Sequence, residues 1–107
     1  MDMEPNALTR QEALDRMAAC EPEIRAFGVQ RLALFGSVLH DRARPDSDVD
    51  LLVQFQPGAK TFDRFIGLAE LLELRLGRRV ELVTPEALSP FLGPRILAEA
   101  EDVLRAA

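Results

Sequence analysis

The chain has 107 residues, 48% hydrophobic and 29% charged, which suits one buried core and argues against disorder. Its formal charge of −5 speaks against holding nucleic acid by charge alone, and no apolar run approaches the ~18 residues of a membrane helix. The single cysteine, Cys20, forbids an internal disulfide, and the start MDMEPNALTR lacks an apolar signal core, so a cytoplasmic location is expected.

One domain over 1–107 is expected, with 1–7 as a loose tail. Thr9-Arg10-Gln11-Glu12 reads as a capping box opening a helix whose apolar stripe is Leu14, Met17 and Ala18. Pro22 ends or kinks that helix, 22–27 adds one further turn, and Gly28 supplies the bend after it. Residues 31–35, RLALF, form a short buried strand interrupted by Gly36-Ser37. A polar turn and loop fill 38–47, and 48–55, DVDLLVQF, form the second strand.

Phe62, Phe65, Ile66, Ala69, Leu72 and Leu76 recur at helical spacing and predict a helix over 62–76 ended by Gly77, with Phe62, Phe65 and Leu72 in the core. VELV at 80–83 is a third strand. Thr84-Pro85 opens a single turn, and Ser89-Pro90 opens a final helix over 90–105. The order α-β-α-β-α-β-α predicts a small mixed β-sheet of three strands with flanking helices, an α/β (α+β) fold.

Chemistry concentrates in 36–50, GSVLHDRARPDSDVD. Asp48 and Asp50 open a strand, whose period of two sets both carboxylates on one face about 7 Å apart. Alone, such a pair is ordinary turn chemistry with solvated acids. Topology adds to it. The short connection between the first two strands predicts antiparallel pairing, and the helix before the third predicts a parallel pair. Gly36-Ser37, Asp48, Asp50 and Glu81 then meet at one sheet edge. Clustered carboxylates suit a hard divalent cation such as Mg²⁺, and glycine beside a serine hydroxyl allows close approach of a phosphate. Metal-assisted phosphoryl or nucleotidyl transfer needs that pairing.

Gly36-Ser37, ten residues, then Asp48-Val49-Asp50 resembles the GS-x10-DxD signature of the DNA polymerase β-like nucleotidyltransferase superfamily. RLALFGS, ARPDSDVDLLVQFQPGAKT, GRRVELVTPEAL and PRILAEA look like its minimal nucleotidyltransferase branch, over 29–100. The resemblance implies metal ligation by Asp48, Asp50 and Glu81, with phosphates held at Gly36 and Ser37. It implies Mg²⁺, with ATP as substrate and AMP passed to a protein hydroxyl, and a HEPN-domain ribonuclease toxin as partner. It leaves self-association open, and neither nucleic acid nor membrane is an expected partner.

The sequence departs from that branch after the serine. GS-x-A-R-G is usual, whereas His40 stands at the Arg position and Asp41 at the Gly position. A permanent cation is lost there, and Asp41 is expected to add repulsion. The third acid is usually Asp and here is the longer Glu81. These departures define an alternative, a catalytically weak antitoxin that inhibits a HEPN ribonuclease by binding alone. The partner surface is expected on the long helix around Leu68, Leu71 and Arg75, or on the final helix.

Overall fold

The computed structural model describes residues 7–104, so of the tail expected at 1–7 only Ala7 is covered. The elements are α1 (Arg10–Ala19), α2 (Glu21–Ala26), β1 (Val29–Phe35), α3 (Gly36–Leu39), β2 (Val49–Phe55), α4 (Phe62–Leu76), β3 (Val80–Val83), a 3-10 turn (Pro85–Ala87), α5 (Gly93–Glu99) and β4 (Glu101–Leu104). The capping box is present. The Thr9 hydroxyl accepts from the Glu12 N–H, and the Glu12 carboxylate accepts from the Thr9 N–H. Thr61 caps α4, and Gly77 ends it in the left-handed conformation (φ +67°).

The sheet has strand order β3-β2-β1-β4. β1 and β2 pair antiparallel, with Phe35 opposite Asp50, and β2 and β3 pair parallel, with Asp50 opposite Glu81. Both pairings match the expectation from connection length. Leu32 and Leu34 of β1 join Val49, Leu51 and Val53 of β2 in a buried cluster with Met17, Ile24, Leu68, Leu72 and Leu76 from the helices. The period of two puts these strand residues on one face, and Ala33 and Leu52 are buried on the other.

Three expectations need correction. The helix expected over 90–105 stops at Glu99, and Glu101–Leu104 form a fourth strand antiparallel to β1. Ala100 turns extended (φ −61°, ψ 136°), Leu104 is buried, and Asp102 accepts at 2.6 Å from Arg31 Nε on the neighbouring strand. Tertiary pairing thus overrides a sequence rich in helix formers. Phe62 is no core residue: it occupies the first position of α4 and is 78% exposed. Leu68 offers no partner surface, being wholly buried.

Candidate active site

Three short connections position the acids. Gly36 directly follows β1 with φ +79°, a conformation that side-chain-bearing residues rarely adopt. The chain turns there into the single turn of α3, whose Val38 and Leu39 are buried anchors. Asp48 lies one residue before β2 and Asp50 is the second residue of that strand. The Val49 N–H donates to the Arg79 carbonyl at 2.8 Å, and the Val80 N–H donates to the Glu73 carboxylate at 3.0 Å. The first bond fastens the start of β3 beside the start of β2, in the register that sets Glu81 against Asp50, and the second ties β3 to the end of α4.

Asp50 is the centre of the arrangement. A Cβ built on Gly36 would fall 2.1 Å from Asp50 Oδ2, so the carboxylate occupies the space that the missing side chain leaves. Desolvation there pushes its pKa from 3.8 up to about 6, and the Glu81 charge, a hydrogen bond with Glu81 and the Asp48 charge push the same way. Asp50 and Glu81 are therefore brought together, with Asp48 acting on Asp50 as a further charge. Among the described residues no group of three or more His, Cys, Asp or Glu side chains stands ready to hold an ion unaided. Mg²⁺ commonly takes one or two carboxylates and completes its shell with water and substrate phosphate. A half-buried carboxylate crowded by like charge fits that ion.

Gly36 also lines a cavity of about 530 Å³, together with Phe35, His40, Arg42, Arg95 and Glu99, among others. His40 Nε2 is 3.5 Å from Glu99 Oε2, and Arg95 Nε is 3.3 Å from Glu99 Oε1. The hydrogen bond from Arg95 is the largest effect holding the Glu99 carboxyl below its ordinary value. His40 thus faces the cavity and joins α3 to α5. The Asp41 carboxylate is engaged by α1: it accepts at 2.8 Å from the N–H of Arg10, the first residue of that helix. Asp41 is also the one non-glycine residue with positive φ (+54°) among those described, which accounts for glycine being usual there. Arg95 and Glu99 escaped notice as site residues. Their only signal was the segment PRILAEA, whose place beside Gly36 depends on how α5 packs.

An antiparallel hairpin and a parallel third strand thus gather carboxylates beside a glycine turn in a small α/β domain. Residues 18–103 match the family model of the nucleotidyltransferase domain. The chain belongs to that family, and it is 39% identical over 93 residues to protein adenylyltransferase MntA of Thermococcus cleftensis, spanning 86% of this chain and 93% of that protein. A solved structure of a candidate minimal nucleotidyltransferase superposes with a TM-score of 0.76 at 36% identity, covering 88% of this chain and 95% of its own. The complex of a tri-AMPylated Shewanella oneidensis HEPN toxin with MNT antitoxin shares the fold, with a TM-score of 0.63 at 18% identity over 92% of this chain and 74% of that one. Among the described residues no helix is long and apolar enough to cross a membrane.

Proposed function

We propose that this chain transfers AMP from ATP to a hydroxyl group of a partner protein, and that the partner is a HEPN-domain toxin. The observation that carries the reading is Asp50, wedged beside Gly36 and crowded by Glu81. An isolated acid at that position gains nothing from such surroundings, whereas a metal ligand does. The relative named as a protein adenylyltransferase and the likeness to an MNT antitoxin bound to an AMPylated HEPN toxin support the choice of substrate and partner.

Asp48 and Asp50 would hold Mg²⁺, with Glu81 completing the set. Bound there, the ion would offset the charge that develops on the phosphates during transfer. Gly36 and Ser37 hold the phosphates by the backbone of their turn and by the serine hydroxyl. The acceptor oxygen attacks the α-phosphorus, the bond from that phosphorus to the bridging oxygen breaks, and pyrophosphate leaves. Glu81, exposed at the sheet edge, takes the hydroxyl proton. The acceptor must come within about 3–3.5 Å of the phosphorus, so the partner docks over this edge.

A second reading, inhibition of the toxin by occupancy alone, is favoured by one observation: at position 40, where the family's permanent cation is usual, His40 stands 3.5 Å from the Glu99 carboxylate. The test is incubation with α-labelled ATP and Mg²⁺, with and without a candidate HEPN partner. Label on the partner that requires Asp48 and Asp50 supports transfer. Tight binding and toxin inhibition without label, unaffected by Asp48→Asn, establishes occupancy instead.

A further inference from the structure

The cavity that Gly36 lines carries two guanidinium groups, a surplus of cation in a chain whose net charge is −5. Arg42 comes from the loop after α3, and its N–H donates to the Ser37 carbonyl at 2.8 Å, which ties it to the Gly-Ser turn. Its side chain has no hydrogen bond or ion pair with any described residue. Arg95 comes from α5 and spends only Nε on Glu99, at 3.3 Å, leaving its terminal nitrogens without a partner among the described residues. Glu99 is the one anion in the lining, and it is already engaged by both His40 and Arg95.

Gly36 is therefore in contact with both signs of charge: Asp50 fills the space beside it, and the cavity it lines carries guanidinium donors of Arg42 and Arg95. A polyphosphate bound along the turn would place one end against the acids and the other among donors that suit phosphate oxygens bidentately. From this arrangement we infer that Arg42 and Arg95 bind the β- and γ-phosphates of the nucleotide, and the pyrophosphate that leaves. The inference rests on the proposed nucleotidyl transfer for the identity of the nucleotide. It assigns the terminal phosphates to two residues outside the Gly-Ser and Asp-x-Asp motifs, one of them on a different element. The cation missing at position 40 is then supplied from positions 42 and 95.

The experiment is calorimetric titration of the intact chain with inorganic pyrophosphate alone, with ATP plus Mg²⁺, and with AMP. The proteins compared are the unaltered chain, Arg42→Ala/Arg95→Ala and Arg42→Lys/Arg95→Lys. Both arginines are exposed, so the variants should fold, which circular dichroism checks. Expected is at least a tenfold weakening of pyrophosphate and of Mg·ATP in the alanine pair, partial recovery in the lysine pair, and a change under threefold for AMP. Mg·ATP and pyrophosphate affinities within twofold of the unaltered chain would overturn the assignment and leave the transferase reading standing. Arginine-dependent pyrophosphate binding with no binding of Mg·ATP would keep the two arginines as a pyrophosphate site but overturn both their assignment to the nucleotide and the transferase reading. An unaltered chain that binds neither would overturn both.

Discussion

Gly36 and Asp50 share one volume. The glycine sits at φ +79°, and a methyl group on its Cα would lie 2.1 Å from Asp50 Oδ2 and 2.9 Å from Asp50 Cγ. The signature glycine is thus a spatial requirement of the signature aspartate fourteen residues later, imposed by the hairpin register that sets Phe35 opposite Asp50.

A double-mutant cycle tests that relationship. Gly36→Ala should destabilise the fold by about 2 kcal/mol or more, part from the left-handed backbone and part from the clash. Asp50→Ala removes the carboxylate and relieves only the clash. Chemical denaturation should show Gly36→Ala/Asp50→Ala less destabilised than the Gly36→Ala effect and the Asp50→Ala effect added together, by about 1 kcal/mol. Strict additivity would mean that the carboxylate has left that space.

The raised pKa of Asp50 makes a signed prediction about pH. Its ordinary value is 3.8 and its folded value is about 6. Between those values the folded chain holds the proton that the unfolded chain has released, so this group's contribution to stability falls as pH rises from 4 to 6. Above that window the charged carboxylate, facing Glu81 and Asp48, is a constant cost. Without metal, Asp50→Asn should raise the melting temperature at pH 7.5 and lose that advantage near pH 4. An equal shift at both pH values would show that burial and neighbouring charge do not strain Asp50.

Much of this site is local in sequence, and that part was legible. The Gly-Ser step, the Asp-x-Asp pair and Glu81 sit at the ends of strands whose pairing directions follow from connection length. What was not legible depended on contacts between distant segments. Ala-Glu-Ala-Glu-Asp-Val-Leu favours helix by propensity, and only the exposed edge of β1 with Arg31 makes 101–104 a strand. Phe62 fits the apolar stripe of α4, yet at the first position of that helix it lines an open groove with Leu82 and Val83 and stays largely exposed. Asp41 looked like a charge facing phosphate because nothing in the sequence reveals that α1 begins beside it.

That contact gives a stability prediction at Asp41. Asp41→Ala keeps an unfavourable positive φ and strips the Arg10 N–H of its acceptor, which should cost about 1–2 kcal/mol. Asp41→Gly loses the same bond but relieves the backbone, so it should lie within about 0.5 kcal/mol of the unaltered chain. Nucleotide affinity should be the same in both. A large gain in Mg·ATP affinity for Asp41→Gly would mean that the carboxylate faces the phosphates after all.

His40 separates from Asp41 in the same way, and in the opposite direction. Its ring stands in the cavity wall 3.5 Å from Glu99, on the side where Arg42 and Arg95 project. His40→Arg puts a permanent, longer cation there. Glu99 can hold one edge of the new guanidinium, leaving the other nitrogens for phosphate oxygens. Charge-assisted hydrogen bonds of this kind contribute roughly 1.5–3 kcal/mol when fully made, and the share drawn off by Glu99 reduces that. Mg·ATP should therefore bind His40→Arg about three- to tenfold more tightly, with a steeper loss of affinity on adding salt. His40→Arg combined with Glu99→Gln should bind more tightly again, since the competing carboxylate is gone. Calorimetry across two salt concentrations checks all three proteins. If the single and double variants both match the unaltered chain, position 40 contributes nothing to the phosphate site.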